Sequence, residues 1–402
     1  MPKVLMKGNE AIGEAAIRAG CLHYFGYPIT PQTEIMEYLA KRLPAVGGMF
    51  LQAESEVAAS NMIYGAASVG LRVMTSSSSP GISLMAEAIS YIAACELPVV
   101  IVNMMRSGPG LGGILPAQGD YFQATRGMAH GDFNLIVLAP ASVQEAADLT
   151  TLAFELAERY HNPVMVIGDG MIGQMMEPVE FAGQGVGKPL DPGDWALTGC
   201  EGRPKRVITS LYLDPDACFE HNLKLQAKWE RIEEAECRFE SYQCEKPYDV
   251  LLTAFGMTSR ICKAAIQELA DEGINIGLFR PITVHPFPYA ACRKAIEKAK
   301  RVLDVEMNMG QMLEDVRLAC EGARPIDFFG TAGGIVPAPE DVVRRIRECL
   351  DESEGSRKPT TRKPASDKPA PRKPTSSKLA SSKSVSSKSV SRKPTDSGDA
   401  PR

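Results

Sequence analysis

Three stretches of this chain carry residue types at spacings that could do chemistry. The first is Tyr27-Pro28-Ile29-Thr30-Pro31, with Gly26 before it and the run Glu34 to Leu43, helical by pattern, after it. Leu22-His23-Tyr24-Phe25 reads as a short buried strand, and the glycine and prolines end it, because proline fixes φ and cannot donate to a sheet ladder. Thr30 then Pro31 reads as a helix start, threonine at the N-cap and proline at the first helical position. The corner would set free backbone N–H groups and a hydroxyl at a strand's carboxyl end, where open α/β sheets hold ligands. A plain cap for the helix is the alternative. The second stretch is Gln52-Ala53-Glu54-Ser55-Glu56-Val57-Ala58-Ala59. A carboxyl group at the junction of an apolar strand and a small-residue helix can be partly buried and share a proton with a ligand nitrogen. Acids in a first helical turn also simply complement the helix dipole, and Glu54 is assigned to that role. The third is Arg106, directly after the apolar run Val99 to Asn103. A guanidinium there suits bidentate contact with a carboxylate or phosphate, or a structural ion pair.

These residues need a frame, and the hydrophobic pattern supplies one. Helices are expected at Asn9–Ala19, Glu54–Ser68, Ile82–Ala94 and Ser142–Arg159. Strands are expected at Met49–Gln52, Arg72–Thr75, Pro98–Asn103, Leu135–Leu138 and Pro163–Gly168. Ser76-Ser77-Ser78-Ser79-Pro80-Gly81 is the loop that opens the third of these helices. The near-continuous apolarity of Pro98–Asn103 fits a central parallel strand covered on both faces. The alternation makes a doubly wound α/β domain over residues 1–182. Residues 183–245 form a Gly/Pro-rich linker and a charged helix, Leu223–Tyr242, with a stripe at Leu225, Trp229, Ile232 and Phe239. A second α/β domain follows over 246–351, and a disordered Lys/Ser/Pro tail over 352–402, in which lysine recurs every five residues from Lys358 to Lys393.

Charge and cysteine spacing exclude several functions. From Arg357 on there are 13 Lys/Arg against 3 Asp, so the net charge of -5 divides into +10 for the tail and -15 for the body. An acidic body speaks against a specific nucleic-acid surface. No apolar run is long enough to span a membrane and Met1-Pro2-Lys3 opens no signal peptide, so a cytoplasmic protein is expected. The ten cysteines include no C-x-x-C pair. Clustered thiolates are what zinc and iron–sulfur sites require, so no metal is assigned to this chain. Gly108-Pro109-Gly110-Leu111-Gly112-Gly113 fits G-x-G-x-x-G, yet Pro109 and Pro116 leave no helix at the third glycine, and a dinucleotide site is rejected.

Taken in order, Tyr27–Pro31, Glu54-Ser55-Glu56, the serine loop and Arg106 resemble the alpha subunit of the 2-oxoacid:ferredoxin oxidoreductases. Pro109–Gly112, Asp120–Ala124, Phe279-Arg280-Pro281-Ile282-Thr283 and Glu306–Gln311 resemble its branched-chain (2-oxoisovalerate) subclass; the likeness covers about residues 3–350. The resemblance implies a pyrimidine-type domain of a thiamine diphosphate enzyme followed by a transketolase-C-terminal-like domain. Thiamine diphosphate would be shared with a beta subunit, with Mg2+ and a [4Fe-4S] cluster on partner subunits only. A gamma subunit and a ferredoxin-like delta subunit would complete the assembly. Gly168-Asp169-Gly170 lacks the asparagine that would complete a diphosphate–metal motif, which agrees with that division. The implied reaction is CoA-dependent oxidative decarboxylation of a 2-oxo acid, best matched by 3-methyl-2-oxobutanoate. Alternatives are a 2-oxoglutarate- or pyruvate-specific member, or a non-catalytic assembly subunit. Glu56 would bond the aminopyrimidine N1′, Tyr27, Pro28 and Ile29 would line the cofactor, and Thr30 and Arg106 would hold the substrate carboxylate.

Overall fold

The computed structural model describes residues 3–126, 128–181, 185–188, 190–245 and 247–355. The first half alternates as its pattern predicts. In chain order it runs β1 (Val4–Lys7), α1 (Gly8–Arg18), β2 (His23–Gly26), α2 (Thr33–Ala45), β3 (Met49–Gln52), α3 (Glu56–Ser68), β4 (Val73–Ser77), α4 (Pro80–Ala94) and β5 (Val99–Met105). After β5 come α5 (Tyr121–Thr125), β6 (Ile136–Leu138), α6 (Val143–Tyr160), β7 (Val164–Asp169), α7 (Gly170–Gln174) and β8 (Met176–Val179). Strands β6, β7, β5, β4, β2 and β3 lie side by side in that order and pair parallel. Every residue of β5 is buried, as expected of a strand with helices on both faces. Helix α4 turns Ile82, Met85, Ile89 and Ile92 onto the sheet, a three-and-four spacing that keeps one stripe inward. The chain leaves β2 for β3 on one side and returns to β4 on the other. The carboxyl ends of β2 and β4 therefore flank a topological switch point, where open sheets leave a crevice.

The second half begins with α8 (Pro215–Ala235), then β9 (Phe239–Tyr242), β10 (Tyr248–Thr253), α9 (Gly256–Leu269), β11 (Ile276–Pro281), β12 (Thr283–His285) and α10 (Tyr289–Glu297). It ends with β13 (Ala299–Glu306), α11 (Met312–Cys320), β14 (Ile326–Gly330) and α12 (Pro339–Gly355). Strands β14, β13, β10 and β11 are parallel, with β9 antiparallel at the edge. Strand β12 leaves this sheet and pairs antiparallel with β6, so the second α/β region supplies an edge strand to the first sheet.

Two expectations need correction. The sequence pattern predicts the charged helix over Leu223–Tyr242, but it spans Pro215–Ala235. Leu225, Trp229 and Ile232 are its buried stripe, whereas Phe239 sits seven residues past Ile232 on β9 and stacks on Phe279 at 5.5 Å. The helix stops at Glu236, whose buried carboxylate accepts from Tyr160 (2.6 Å) and pairs with Arg159 and Arg238. The tail was expected from residue 352, but α12 continues through Gly355, and 356–402 lie outside the described residues. Among the described residues no helix is long and apolar enough to cross a membrane.

Candidate active site

The loop Ser76–Ser79, at the carboxyl end of β4, is the hub of the site. Tyr24 donates its hydroxyl proton to Ser76 Oγ at 2.6 Å; Ser76 Oγ donates onward to Gln32 Oε1 (2.6 Å), and Gln32 Nε2 donates to the Tyr27 carbonyl (3.1 Å). The serine loop is thereby bonded to the Tyr27–Pro31 turn. Thr30 does not cap the helix as the sequence predicts: α2 starts three residues later. A turn closes first, with Gln32 N–H on the Ile29 carbonyl, and it is the carbonyl of Thr30 that is engaged, by Arg106 Nη1 at 3.1 Å. Tyr27 and Ile29 are half-buried, while Pro28 and Thr30 are exposed.

Glu56 and Glu54 part company as expected. Glu54 is exposed; Glu56, the first residue of α3, is 5% exposed, with Ser55 capping the helix through Ala58 N–H. No described residue donates a hydrogen bond to the Glu56 carboxylate or pairs with it. A buried acid left without a partner is costly and calls for one. Its neighbour is Gly81: a Cβ there would lie 2.6 Å from Glu56 Oε1 and 2.1 Å from Ser77 Oγ, so only glycine allows α4 to start beside both oxygens. The hydroxyls of Thr75, Ser77 and Ser78 are buried and equally unpartnered. The Glu56 carboxylate and the orphaned Ser77 hydroxyl thus both border Gly81 at the switch point.

Arg106 stands beside them, 7% exposed. Its Nη1 and Nη2 donate to the carbonyls of Thr30 and Leu111, its backbone N–H donates to Ser79 Oγ (3.0 Å), and its Nε is buried without a partner. Sequence reasoning missed what holds it. Ser79 has φ 22°, a left-handed conformation unusual for a side-chain-bearing residue. Its N–H donates to Asn103 Oδ1, and its hydroxyl donates to Asp120 Oδ2 at 2.6 Å; Asn103 Nδ2 donates to that oxygen too. Burial raises the Asp120 pKa, opposed by these two donors and by the charge of Arg106. The segment carrying Asp120 is clamped from the second α/β region. Gln311 donates to the Gly119 carbonyl and accepts from Phe122 N–H, and Asn308 Nδ2 donates to the Gln118 carbonyl. The stretch Gly108–Gly113 opens no helix; the next one begins at Tyr121. Asp169 caps α7 through the N–H groups of Met171 and Ile172.

Comparison with known proteins decides the affiliation. Residues 14–240 match the family described as pyruvate flavodoxin/ferredoxin oxidoreductase, thiamine diphosphate-binding, and residues 248–342 match pyruvate:ferredoxin oxidoreductase core domain II. The ketoisovalerate oxidoreductase subunit VorB of Methanothermobacter thermautotrophicus is 47% identical over 353 residues, 88% of this chain and 99% of that one. The chain belongs to the 2-oxoacid:ferredoxin oxidoreductase family. Another member, the 2-oxoglutarate synthase subunit KorA of Archaeoglobus fulgidus, is 37% identical over 82% of this chain and 96% of its own. Among solved structures of the family, a 2-oxoglutarate:ferredoxin oxidoreductase from Magnetococcus marinus superposes with TM-score 0.77 at 27% identity. It covers 86% of this chain, which spans 65% of that one. A split-gene transketolase shares the fold, with TM-score 0.53 at 14% identity. Both VorB and KorA are named as subunits, so these relatives of the oxidoreductase family are parts of larger assemblies. Residues 14–240 are thus a thiamine diphosphate-binding domain, and its unpartnered groups suit the cofactor: a buried carboxyl and free hydroxyls are what a flat, nitrogen-bearing ring needs around it.

Proposed function

We propose that this chain is the alpha subunit of a heteromeric 2-oxoacid:ferredoxin oxidoreductase acting on a branched 2-oxo acid, 3-methyl-2-oxobutanoate, with coenzyme A as acyl acceptor. The observation that carries the catalytic reading is Glu56, a buried carboxyl with no partner of its own beside an unpartnered serine hydroxyl. The substrate follows from the 47% identity to a ketoisovalerate oxidoreductase subunit, against 37% for a 2-oxoglutarate synthase subunit. Thiamine diphosphate, when bound, would supply a carbon nucleophile and an electron sink for decarboxylation of the 2-oxo acid. In this reading Glu56 hydrogen-bonds the ring nitrogen. Ser77 and Gly81 set the depth at which the ring lies, the one as a polar wall and the other by having no side chain. Tyr27, Pro28 and Ile29 border the ring at the corner after β2.

Arg106 is given the substrate carboxylate. Its anchoring to two carbonyls fixes the guanidinium plane and leaves further N–H groups, Nε among them, for an anion. Thr30, exposed beside it, joins in holding that carboxylate through its hydroxyl. Partner subunits supply the diphosphate pocket with Mg2+ and the [4Fe-4S] clusters: a beta subunit, a gamma subunit and a ferredoxin-like delta subunit. The dispersal of the ten cysteines, none in a C-x-x-C pair, suits that division. The test is CoA-dependent reduction of ferredoxin or viologen by the purified complex. We expect 3-methyl-2-oxobutanoate to give at least tenfold higher kcat/KM than 2-oxoglutarate or pyruvate. Faster turnover of 2-oxoglutarate would overturn the substrate, and no turnover of any 2-oxo acid would overturn the catalytic reading.

A further inference from the structure

At the opposite end of the first sheet's strands, by the amino ends of β5 and β7, lies a groove of about 720 Å³, within the size range of small-molecule sites. It is bounded by the last turns of α4 and α6, by the segment 206–212 that crosses toward α8, and by one face of α8. Five cations reach it: Arg159, Arg206, Lys224, Lys228 and Arg231. Only two acids do, Glu96 and Asp194. That excess is notable in a body whose net charge is -15.

The cations do not all serve the fold. Lys224 and Lys228 share Glu96, Lys228 also donates to the His161 carbonyl at 3.0 Å, and Arg159 pairs with Glu236. Burial holds the Lys228 pKa below its ordinary value, opposed by the Glu96 charge. Arg206 donates only to the Ala196 carbonyl (2.8 Å), and neither it nor Arg231 has a carboxylate partner among the described residues. Two guanidinium groups therefore face the groove with charge to spare, the side chain best shaped for phosphate. Flat rings line the same groove. Tyr212 stacks on His221 at 4.7 Å and 23°, and His221 is pinned by its Nε2 on the Ala94 carbonyl. Trp195, one of two tryptophans in the chain, meets His161 edge-on at 5.3 Å. Fixed rings beside uncompensated guanidinium groups are what a stacked heterocycle bearing phosphates needs.

We infer that this groove is a second ligand site, separate from the switch-point crevice, and that it takes a purine nucleotide carrying at least two phosphates. That chemistry has two sources, a free nucleoside di- or triphosphate or the adenosine-diphosphate end of coenzyme A. The site does not depend on the identity of the 2-oxo acid.

The test is calorimetric titration of the full chain with ADP, ATP, coenzyme A and inorganic pyrophosphate, with the intrinsic tryptophan fluorescence followed in parallel. We expect sub-millimolar binding of ADP or ATP, weakening as salt rises. Pyrophosphate should bind at least tenfold more weakly, because it has no ring to stack. Coenzyme A displaced by ADP would assign the nucleotide portion of that molecule as the occupant. The double variant Arg206→Glu, Arg231→Glu removes no ion pair and should bind ADP at least tenfold more weakly with its melting temperature unchanged. Three results would each overturn the inference: no binding of ADP or ATP at millimolar concentration, pyrophosphate binding as tight as ADP, or charge reversal leaving affinity unchanged. If the double variant fails to fold, the wild-type comparison of ADP with pyrophosphate still decides.

Discussion

Glu56 is the residue on which the chemistry turns, and its surroundings allow stability and activity to be separated. A buried acid with no hydrogen-bond donor among the described residues adds no hydrogen bond or ion pair to the fold. Glu56→Gln keeps the size and one acceptor and removes the exchangeable carboxyl proton. We expect a melting temperature equal to or above that of the wild type, and turnover of the complex lower by at least about a hundredfold, the scale of a lost general acid–base group. Exchange of the thiazolium C2 proton of added thiamine diphosphate, followed by NMR, should slow in step. Glu54→Gln, exposed two residues earlier, should change neither. Wild-type exchange in the Glu56 variant would remove the role assigned to it.

At the scale of elements, the short helix α7 shows how a charge can be held at a price to the fold. Asp169 caps it from a fully buried position, and burial raises its carboxyl pKa from 3.8 to about 6, opposed by the backbone N–H groups it accepts from. Between those values the unfolded chain has lost this proton while the folded chain keeps it. Stability from this group is therefore greatest below pH 3.8 and falls as pH rises through 6. Asparagine keeps the capping oxygen without the charge. Asp169→Asn should gain up to about 3 kcal/mol at pH 7.5, from roughly 1.4 kcal/mol per pKa unit, and nothing at pH 4, by denaturant melts at both. An equal gain at the two pH values would show that packing, not ionisation, is responsible. Elements were also where the sequence was most readable. The apolar run around β5, the small-residue start of α3 and the plain helix-start role of Glu54 follow from local pattern, whereas Glu56 is singled out by the family resemblance. What escaped was non-local. Ser79, Asn103 and Asp120 meet across separations of 17 to 41 residues with no periodicity to mark them. Thr30-Pro31 carries a good helix-start signature, but the pull of Gln32 on Tyr27 and of Arg106 on Thr30 delays the helix by a turn. Strand β12, three residues long, is too short to announce itself.

At the scale of the whole chain, β12 matters more than its length suggests. It follows β11 of the second sheet by one residue, yet pairs with β6 of the first, Thr283 opposite Leu138 and His285 opposite Val137. His285 then stacks on Trp229 of α8 at 4.7 Å, and Tyr121 of α5 donates to the buried Asp315 of α11 at 2.7 Å. Residues 1–245 expressed alone would leave the ladder edge of β6 bare, an invitation to pair with other copies. We expect that fragment to be aggregated by size-exclusion chromatography and to become monodisperse only when co-expressed with 246–402; a monodisperse, two-state fragment would contradict this. The two family matches meet between residues 240 and 248, so a genome reader would cut there. The hydrogen bonds of β12 say that such a cut divides a text, not an object: a gene split at that seam would produce two polypeptides obliged to find each other before either could fold, and a recombination event swapping one half would have to bring a matching three-residue edge with it.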